Sequence, residues 1–522
     1  MQSVLRYLDL TSVALALLVG LVSLVVLEIF RLRSLKRRLP PGPTPLPFVG
    51  TTLYFFKNPV RLIKSMVQYG DLCTVYIGRR PTIFLNSLDV MKEALVHNGI
   101  VFAGRPSMPI MEWISGGNGI VMVTYNHAWK QQRRFALHTL RNFGLGKKSV
   151  EERVSEEAQC LIKEILKQEG KAFDPIHLTM NAVSNIICSI VFGDRFEYDN
   201  QRFAKLLKIL NEHIVLFSSW VTLIVVLFPF MIRLPGPHQK IYQNVKAFKD
   251  FIREAMVEHR KMLDPENLRD FIDAYLVEMD KNSLNEDSTF HEENLVMSTS
   301  DLFLAGTETT STTLRWGFIF MMTHPEVQER CHEEIIRVLG YDRTPTMDDR
   351  AKLPYTHATV HEILRFGNIL PTSVTHETMQ TTQLRGYTIP KETLVMANLA
   401  AILMDKDHWK HPDTFNPENF LDENGQFCKD EFFLPFSIGP RVCLGESLAR
   451  TELFIFFTSL LQRLQFSWPP NTPPVDLDGI LGMVKIPHPF QMICRSRDVH
   501  HVQIHTHGLE VLMSSKLKIR CA

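Results

Sequence analysis

The chain has no C-x-x-C pair, no internal repeat, no low-complexity run and no Ser/Gly/Pro-rich linker. Its eight cysteines are scattered, which excludes a zinc ribbon and a disulfide framework and fits a reducing compartment. Its formal net charge is only +1, so nothing in the overall charge calls for nucleic acid. Without linkers or repeats, 522 residues of ordinary globular composition read as one large catalytic domain.

Charge is also missing locally. Thr11 to Leu27 carries none, and the apolar character resumes at Ile29 and Phe30 after Glu28. That is long enough to span a bilayer. Arg31, Arg33, Lys36, Arg37 and Arg38 follow it, while only Arg6 and Asp9 precede it. The positive-inside rule places the basic side, and the main domain, in the cytosol. No small-residue cleavage site follows, so the segment reads as a retained signal anchor. Pro40, Pro41, Pro43, Pro45 and Pro47 then make a stiff, non-helical hinge. A second uncharged stretch, Ile214 to Ile232, is broken by Pro229 and closed by Pro235-Gly236-Pro237. It reads as a segment dipping into the membrane; a true second span would put everything after it in the lumen. The expected organisation is 1–30 anchor helix, 31–48 basic stop-transfer and Pro-rich hinge, 49–495 catalytic domain and 496–522 extension.

The chemistry centres on Phe436 to Gly445, FSIGPRVCLG, which fits F-x-x-G-x-R-x-C-x-G at every fixed position. A cysteine thiolate can ligate haem iron and push electron density onto it. The run from Leu444 to Leu464 reads as a helix, so Cys443 stands at its N-terminus, where the dipole favours a thiolate. Gly439 and Gly445 permit a tight turn and close approach to a flat cofactor. Arg441 supplies a cation for a carboxylate of that cofactor. Phe436 would shield the sulfur. The segment resembles the haem-binding loop of cytochromes P450.

A second motif, AGTETT, spans Ala305 to Thr310 inside a long helical pattern, Phe290–Met322. Ala305 and Gly306 form a low wall where a flat ring and O2 fit. The Thr309 hydroxyl can reach the Ala305 carbonyl four residues back and open a polar notch. In P450s this motif serves oxygen activation; the resemblance makes Thr309 the residue that delivers protons and Glu308 its relay. Glu362 and Arg365 form E-x-x-R on one helix face. The resemblance makes them a buried ion pair, with Asn419 standing where a basic third partner is usual.

Trp129 and Arg133 lie one helical turn apart and are candidate partners of a haem propionate, as is His376, which matches a propionate-binding position of family-2 P450s. An arginine common in that family is replaced by Ser115-Gly116-Gly117-Asn118. Lys130, Arg134, Arg141, Lys147, Lys148 and Arg450 form a loose basic set expected to receive an acidic flavoprotein reductase. By position, Met111, Trp113, Ile114, Phe217, Asp301, Phe303, Ala305, Leu370, Val374, Ile480 and Leu481 are expected to line the substrate pocket, and most are apolar.

From about Pro40 to Arg495 the chain resembles vertebrate microsomal family-2 P450s, with a look of the J-type members that oxidise polyunsaturated fatty acids. The resemblance implies a mainly α fold with small β-sheets and haem b with axial Cys443. It implies monooxygenation of fatty acids, steroids or xenobiotics by hydroxylation or epoxidation. Electrons would come from NADPH-cytochrome P450 reductase, with cytochrome b5 as a further partner. The location implied is the endoplasmic reticulum membrane. Two other readings stay open: a P450-fold isomerase or dehydratase acting on peroxides without reductase, and a non-catalytic thiolate-haem sensor.

Overall fold

The computed structural model describes residues 10–56, 58–143, 148–217, 219, 221, 222, 225 and 228–497. The polar tail of the 496–522 extension therefore falls almost wholly outside the described residues. The chain forms two compact units, one of residues 1–107, 371–402 and 437–442, the other of residues 108–370, 403–436 and 443–522.

The first unit is built on a four-stranded sheet. β1 (Leu72–Ile77) and β2 (Arg80–Leu85) form an antiparallel hairpin, with Cys73 opposite Phe84 and Ile77 opposite Arg80. The turn is tight: Arg80 and Pro81 already belong to β2, and only Gly78 and Arg79 connect the strands. Pro81 is tolerated because β2 pairs with its other neighbour only from Thr82 to Leu85. That neighbour is β6 (Leu394–Ala397), which also takes the two-residue β3 (His376–Glu377). A small hairpin, β4 (Thr382–Leu384) and β5 (Tyr387–Ile389), stands apart. Short helices α2 (Pro59–Ser65) and α3 (Leu88–Lys92) pack on this sheet unit. Before them runs α1 (Leu10–Lys36). Among the described residues α1 is the one helix long and apolar enough to cross a membrane.

The second unit is helical. It holds α4 (Pro109–Ser115), α5 (His127–Asn142), α6 (Lys148–Leu166), α7 (Ile176–Val191), α8 (Gln201–Phe217), α9 (Gln239–Met262), α10 (Phe271–Lys281), α11 (Glu292–Thr323), α12 (Pro325–Leu339) and α13 (Pro354–Gly367). After the short α14 (Leu399–Leu403) comes α15 (Glu446–Arg463). Strand pairs β7 (Leu464–Ser467) with β10 (Ile493–Ser496), and β8 (Ile480–Leu481) with β9 (Lys485–Ile486), close its C-terminal end. The long helical pattern Phe290–Met322 thus becomes α11 within a few residues. The fold is mainly α with small sheets, as the sequence implied.

The centre is the crossing of α7 and α11. In α7, Met180 and Ala182 through Val191 are buried without a gap. A Cβ on Gly306 would stand 2.3 Å from Cδ1 of Ile187. Glycine in mid-helix costs about 1 kcal/mol against alanine; here it is what lets α7 approach. This corrects the reading of Gly306 as part of a low wall for a flat ring. The 214–232 stretch does not form a long helix among the described residues. α8 ends at Phe217 and a 3-10 turn spans Pro229–Arg233. Val225 is buried with Ile110 and Ile241, while Phe228 and Phe230 are exposed.

Beneath this core lies a buried ionic network. Arg365 and Glu362 are both fully buried and meet through two bonds of 2.7 Å. Asn419 donates to both Glu362 oxygens at 3.2 and 3.3 Å, and the Asn416 amide adds 2.9 Å. Arg365 also donates to the carbonyl oxygens of Leu403, His411, Pro412 and Thr414. Truncating one partner leaves the other charge buried and uncompensated. Arg365→Ala is expected to lower stability by about 3–5 kcal/mol, and Asn419→Ala by about 1 kcal/mol. Chemical denaturation of the purified proteins checks both.

Candidate active site

Cys443 leads into α15, whose first helical residue is Glu446 and whose N-cap is Gly445. Its amide donates to the Phe436 carbonyl at 3.0 Å, closing the loop. The backbone N–H groups of Gly445 and Glu446 donate to its sulfur. Burial dominates all the same and holds the thiol above its ordinary value; those N–H groups and the Arg133 charge pull the other way. The helix start alone therefore does not make a thiolate here; a metal cation would. The residue nonetheless presents open surface. Gly445 has a negative φ of −93°, and a Cβ there would meet no protein atom within 4 Å. Neither backbone conformation nor protein packing calls for glycine, so this side of the loop fits a flat group lying against Cys443. Gly439 is different: at φ +82° its Cβ would fall 1.9 Å from the Leu95 carbonyl oxygen. Its glycine serves the turn and a backbone neighbour rather than a cofactor. Phe436 is half-buried, with the Arg450 guanidinium 4.9 Å from its ring centre.

On α11 the Thr309 hydroxyl donates to the Ala305 carbonyl at 2.6 Å, and Thr313 repeats the bond to the Thr309 carbonyl at 2.9 Å. Ala305 is exposed on a helix otherwise largely buried. The Glu308 carboxyl accepts from Thr312 at 3.3 Å. Burial pushes it up to about 7, against the pull of the Arg315 charge and the Thr312 bond. Arg315 lies seven residues on, the same helix face, and its own buried Nε has no hydrogen-bond partner. The sequence reading missed Arg315, though the i,i+7 spacing signals it.

Propionate candidates need revising. The Trp129 indole donates to the Ile120 carbonyl at 3.0 Å, so its N–H is already used. Arg133 lies with its guanidinium 5.5 Å from the Trp129 ring centre, and burial lowers its basicity while Cys443 opposes that. In the first unit, His376 meets the Phe102 carbonyl at 2.8 Å through Nδ1. Burial, then the Arg105 and Arg441 charges, push His376 down to about 3 against that bond. A neutral ring donating from Nδ1 has an acceptor at Nε2, the wrong polarity for a carboxylate. The cations there are Arg441, which donates to Ala103 at 3.0 Å, and Arg105, which donates to the Val374 and Thr375 carbonyls at 2.8 Å each. Both are buried. The sequence reading missed Arg105, an arginine set between the apolar Phe102-Ala103 and Pro106 with no acid beside it.

Several pocket candidates turn out to be scaffold. Phe303 is fully buried against Phe192 and Phe248. Met111 and Ile114 pack on the Ile110–Val225–Ile241 cluster, and Trp113 stacks on Tyr242 at 4.6 Å. Asp301 accepts from the amides of Ile120 and Val121 at 2.6 and 2.9 Å. It staples that loop to α11 rather than offering a free carboxylate; burial raises it to about 6. The Phe217 side chain lies outside the described residues. Leu370 and Leu481 are half-buried, and Val374 and Ile480 are exposed. Of the basic set, Lys130, Arg134 and Arg141 are exposed on one face of α5, with His138 between them. Arg450 is held by Glu446 at 2.9 Å and His361 at 3.0 Å. Lys147 and the Lys148 side chain lie outside the described residues.

The cytochrome P450 family model matches residues 40–494. This chain belongs to the cytochrome P450 family. Cytochrome P450 2J2 of Homo sapiens is 48% identical over 474 residues, covering 90% of this chain and 94% of that protein. Cytochrome P450 2C23 of Rattus norvegicus is 44% identical over 484 residues, 92% and 97% of the two chains. Cytochrome P450 2B4 of Oryctolagus cuniculus is 46% identical over 446 residues, 84% and 90%. The family-2 resemblance therefore holds, while J, C and B members match about equally. As a P450 the protein is a haem-thiolate monooxygenase, with a redox partner and a lipophilic substrate.

Two predictions follow from the P450 site. The Asp301→Asn variant loses a carboxylate that serves two amides, so exchange of the Ile120 and Val121 amide hydrogens should accelerate about tenfold or more, for about 1–3 kcal/mol lost; hydrogen–deuterium exchange reads this. Glu308 has a folded value above its ordinary 4.5, so the fold favours its protonated form. That contribution is complete below the ordinary value and is lost as pH rises through about 7. Turnover using this proton should fall over the same rise, and Glu308→Gln should remove that limb from the kcat–pH profile.

Proposed function

We propose that the protein hydroxylates or epoxidises lipophilic substrates (fatty acids, steroids or xenobiotics) at a haem whose axial ligand is Cys443. The observation that carries this is Thr309 bonded to the Ala305 carbonyl beside a buried, proton-holding Glu308. A thiolate-haem sensor has no use for such a pair. An isomerase that rearranges peroxides has none either, because it takes up no protons.

The haem, when bound, supplies the centre at which O2 is bound and reduced. The residues divide the remaining work. Cys443 holds it through sulfur. In the second unit Arg133 offers charge to a carboxylate of the cofactor; in the first unit Arg441 and Arg105 are buried cations of the kind such a carboxylate takes. In the second unit Trp129, whose N–H serves Ile120, lies against the Arg133 guanidinium; in the first unit His376, whose ring meets Phe102, lies near the Arg105 and Arg441 charges. Thr309, whose hydroxyl bonds the Ala305 carbonyl, would hold a proton and pass it on. Glu308 replenishes that proton, with Arg315 as the charge beside it. In the second unit half-buried Leu370 and Leu481 and exposed Ile480 offer apolar surface for the substrate; Val374 is exposed in the first unit.

The exposed Lys130, Arg134, His138 and Arg141 stripe fits an acidic flavoprotein, so the donor is NADPH-cytochrome P450 reductase, with cytochrome b5 as an additional partner. With α1 as a single-pass anchor and its basic residues on the cytosolic side, the location is the endoplasmic reticulum membrane. Phe228 and Phe230 would dip into it. The 31–48 hinge and the 49–495 catalytic domain remain the proposed organisation.

The decisive test uses purified protein, reduced under CO, and NADPH-driven turnover with reductase. The wild type should absorb at the thiolate-haem position. Cys443→Ala should lose that absorption. Thr309→Ala should keep it but lose about 10²-fold or more in product formation, the scale of a removed proton-transfer group. Peroxide rearrangement that proceeds without reductase and survives Thr309→Ala would instead identify an isomerase.

A further inference from the structure

The last turns of α1 do not hang free of the first unit. Val25, Glu28, Ile29, Leu32 and Leu35 recur at helical spacing and are buried or half-buried, while the residues between them are exposed except Arg31. In the middle of this stripe Glu28 is only 3% exposed. A carboxylate there, after about 25 Å of uncharged helix from Thr11 to Leu27, needs a partner.

Its partner is the β1–β2 turn. Arg79 grips Glu28 with both ends of its guanidinium, Nη2 to Oε2 at 2.8 Å and Nε to Oε1 at 3.3 Å. Arg31 adds Nη1 to Oε1 at 2.7 Å and donates from Nη2 to the Arg79 carbonyl at 3.1 Å. The Arg79 guanidinium also stands 5.9 Å from the centre of the Phe48 ring. That turn is stitched to the preceding loop: the Gly78 amide donates to Thr52 Oγ1 and the Thr51 amide to the Tyr76 carbonyl, both at 2.8 Å. The loop carries Leu46, Phe48, Leu53 and Tyr54, all exposed.

We propose that Glu28, Arg31 and Arg79 form a clamp that locks the anchor helix to the β1–β2 turn and thereby seats Leu46, Phe48, Leu53 and Tyr54 on the lipid interface. The partner of this surface is the bilayer because the surface is continuous with the helix that spans it. The Pro-rich segment then lies beside a fixed joint, and the tilt of the first unit on the membrane is set by three charges rather than by the stiffness of 40–47. The inference rests on α1 being a membrane anchor.

The test uses full-length, haem-loaded protein in phosphatidylcholine vesicles containing a doxyl-labelled lipid. A Leu53→Cys bimane label is placed in a Cys428→Ser background, since Cys428 is exposed. Doxyl quenching should be strong with the clamp intact. Glu28→Gln and Arg79→Ala should each shift the balance toward the released form by roughly tenfold and weaken quenching. The exchange Glu28→Arg with Arg79→Glu should restore it. Quenching unchanged in the single variants, or lost without restoration by the exchange, overturns the clamp. If Arg79→Ala loses its haem, Arg79→Lys and Glu28→Gln carry the test, with weakened quenching expected of both and wild-type quenching in both overturning it. A wild type stripped from vesicles by alkaline carbonate overturns the anchor reading instead.

Discussion

A guanidinium with no exposed surface, Arg365, ties together distant parts of the second unit. One carboxylate alone would leave most of its donors unmade in a low-dielectric interior. Glu362 takes two, and the carbonyl oxygens of 403–414 take the rest. The ion pair therefore organises a stretch of irregular chain that has no ladder of its own. Asn419, a neutral residue, completes the carboxylate's bonding without adding a third charge.

The oxygen-side helix shows the complementary device. α11 is packed tightly enough against α7 that one Cβ at position 306 would not fit, yet it carries Thr309 and Glu308 within a turn of that contact. Rigid packing on one face holds the hydroxyl and carboxyl on another where they are wanted. The same burial leaves Glu308 partly protonated at neutral pH, as the proposed proton source requires. Asp301, two turns earlier on the same helix, instead spends one oxygen, Oδ2, on two amides. Two acids on one helix thus have different work because of what their oxygens meet.

Much of this was legible in the sequence. Helix α11 follows from 3.6-residue periodicity, and the apolar helix α1 from an uncharged run with a basic flank. The bond from Thr309 to the Ala305 carbonyl follows from spacing on one helix, as does the approach of Glu362 to Arg365. What failed were statements about direction. Trp129 and His376 lie in the expected elements, yet their N–H groups point to Ile120 and Phe102. Phe303 was expected in a pocket and lies in the core, because neighbours 50 or more residues away close over it. Arg105 went unnoticed because nothing local distinguishes a buried arginine from an exposed one.

The sequence by itself determined the family, the thiolate loop, the AGTETT motif and the apolar N-terminal helix, because each is written in contiguous residues whose spacing carries its chemistry. Only the tertiary structure decided why Gly306 is glycine, which acid is free to hold a proton, which cations lie buried beside His376, and that Glu28 is gripped by Arg79. These depend on groups brought together from distant parts of the chain, and on burial, which changes what a charge or an N–H can do without changing the residue that bears it.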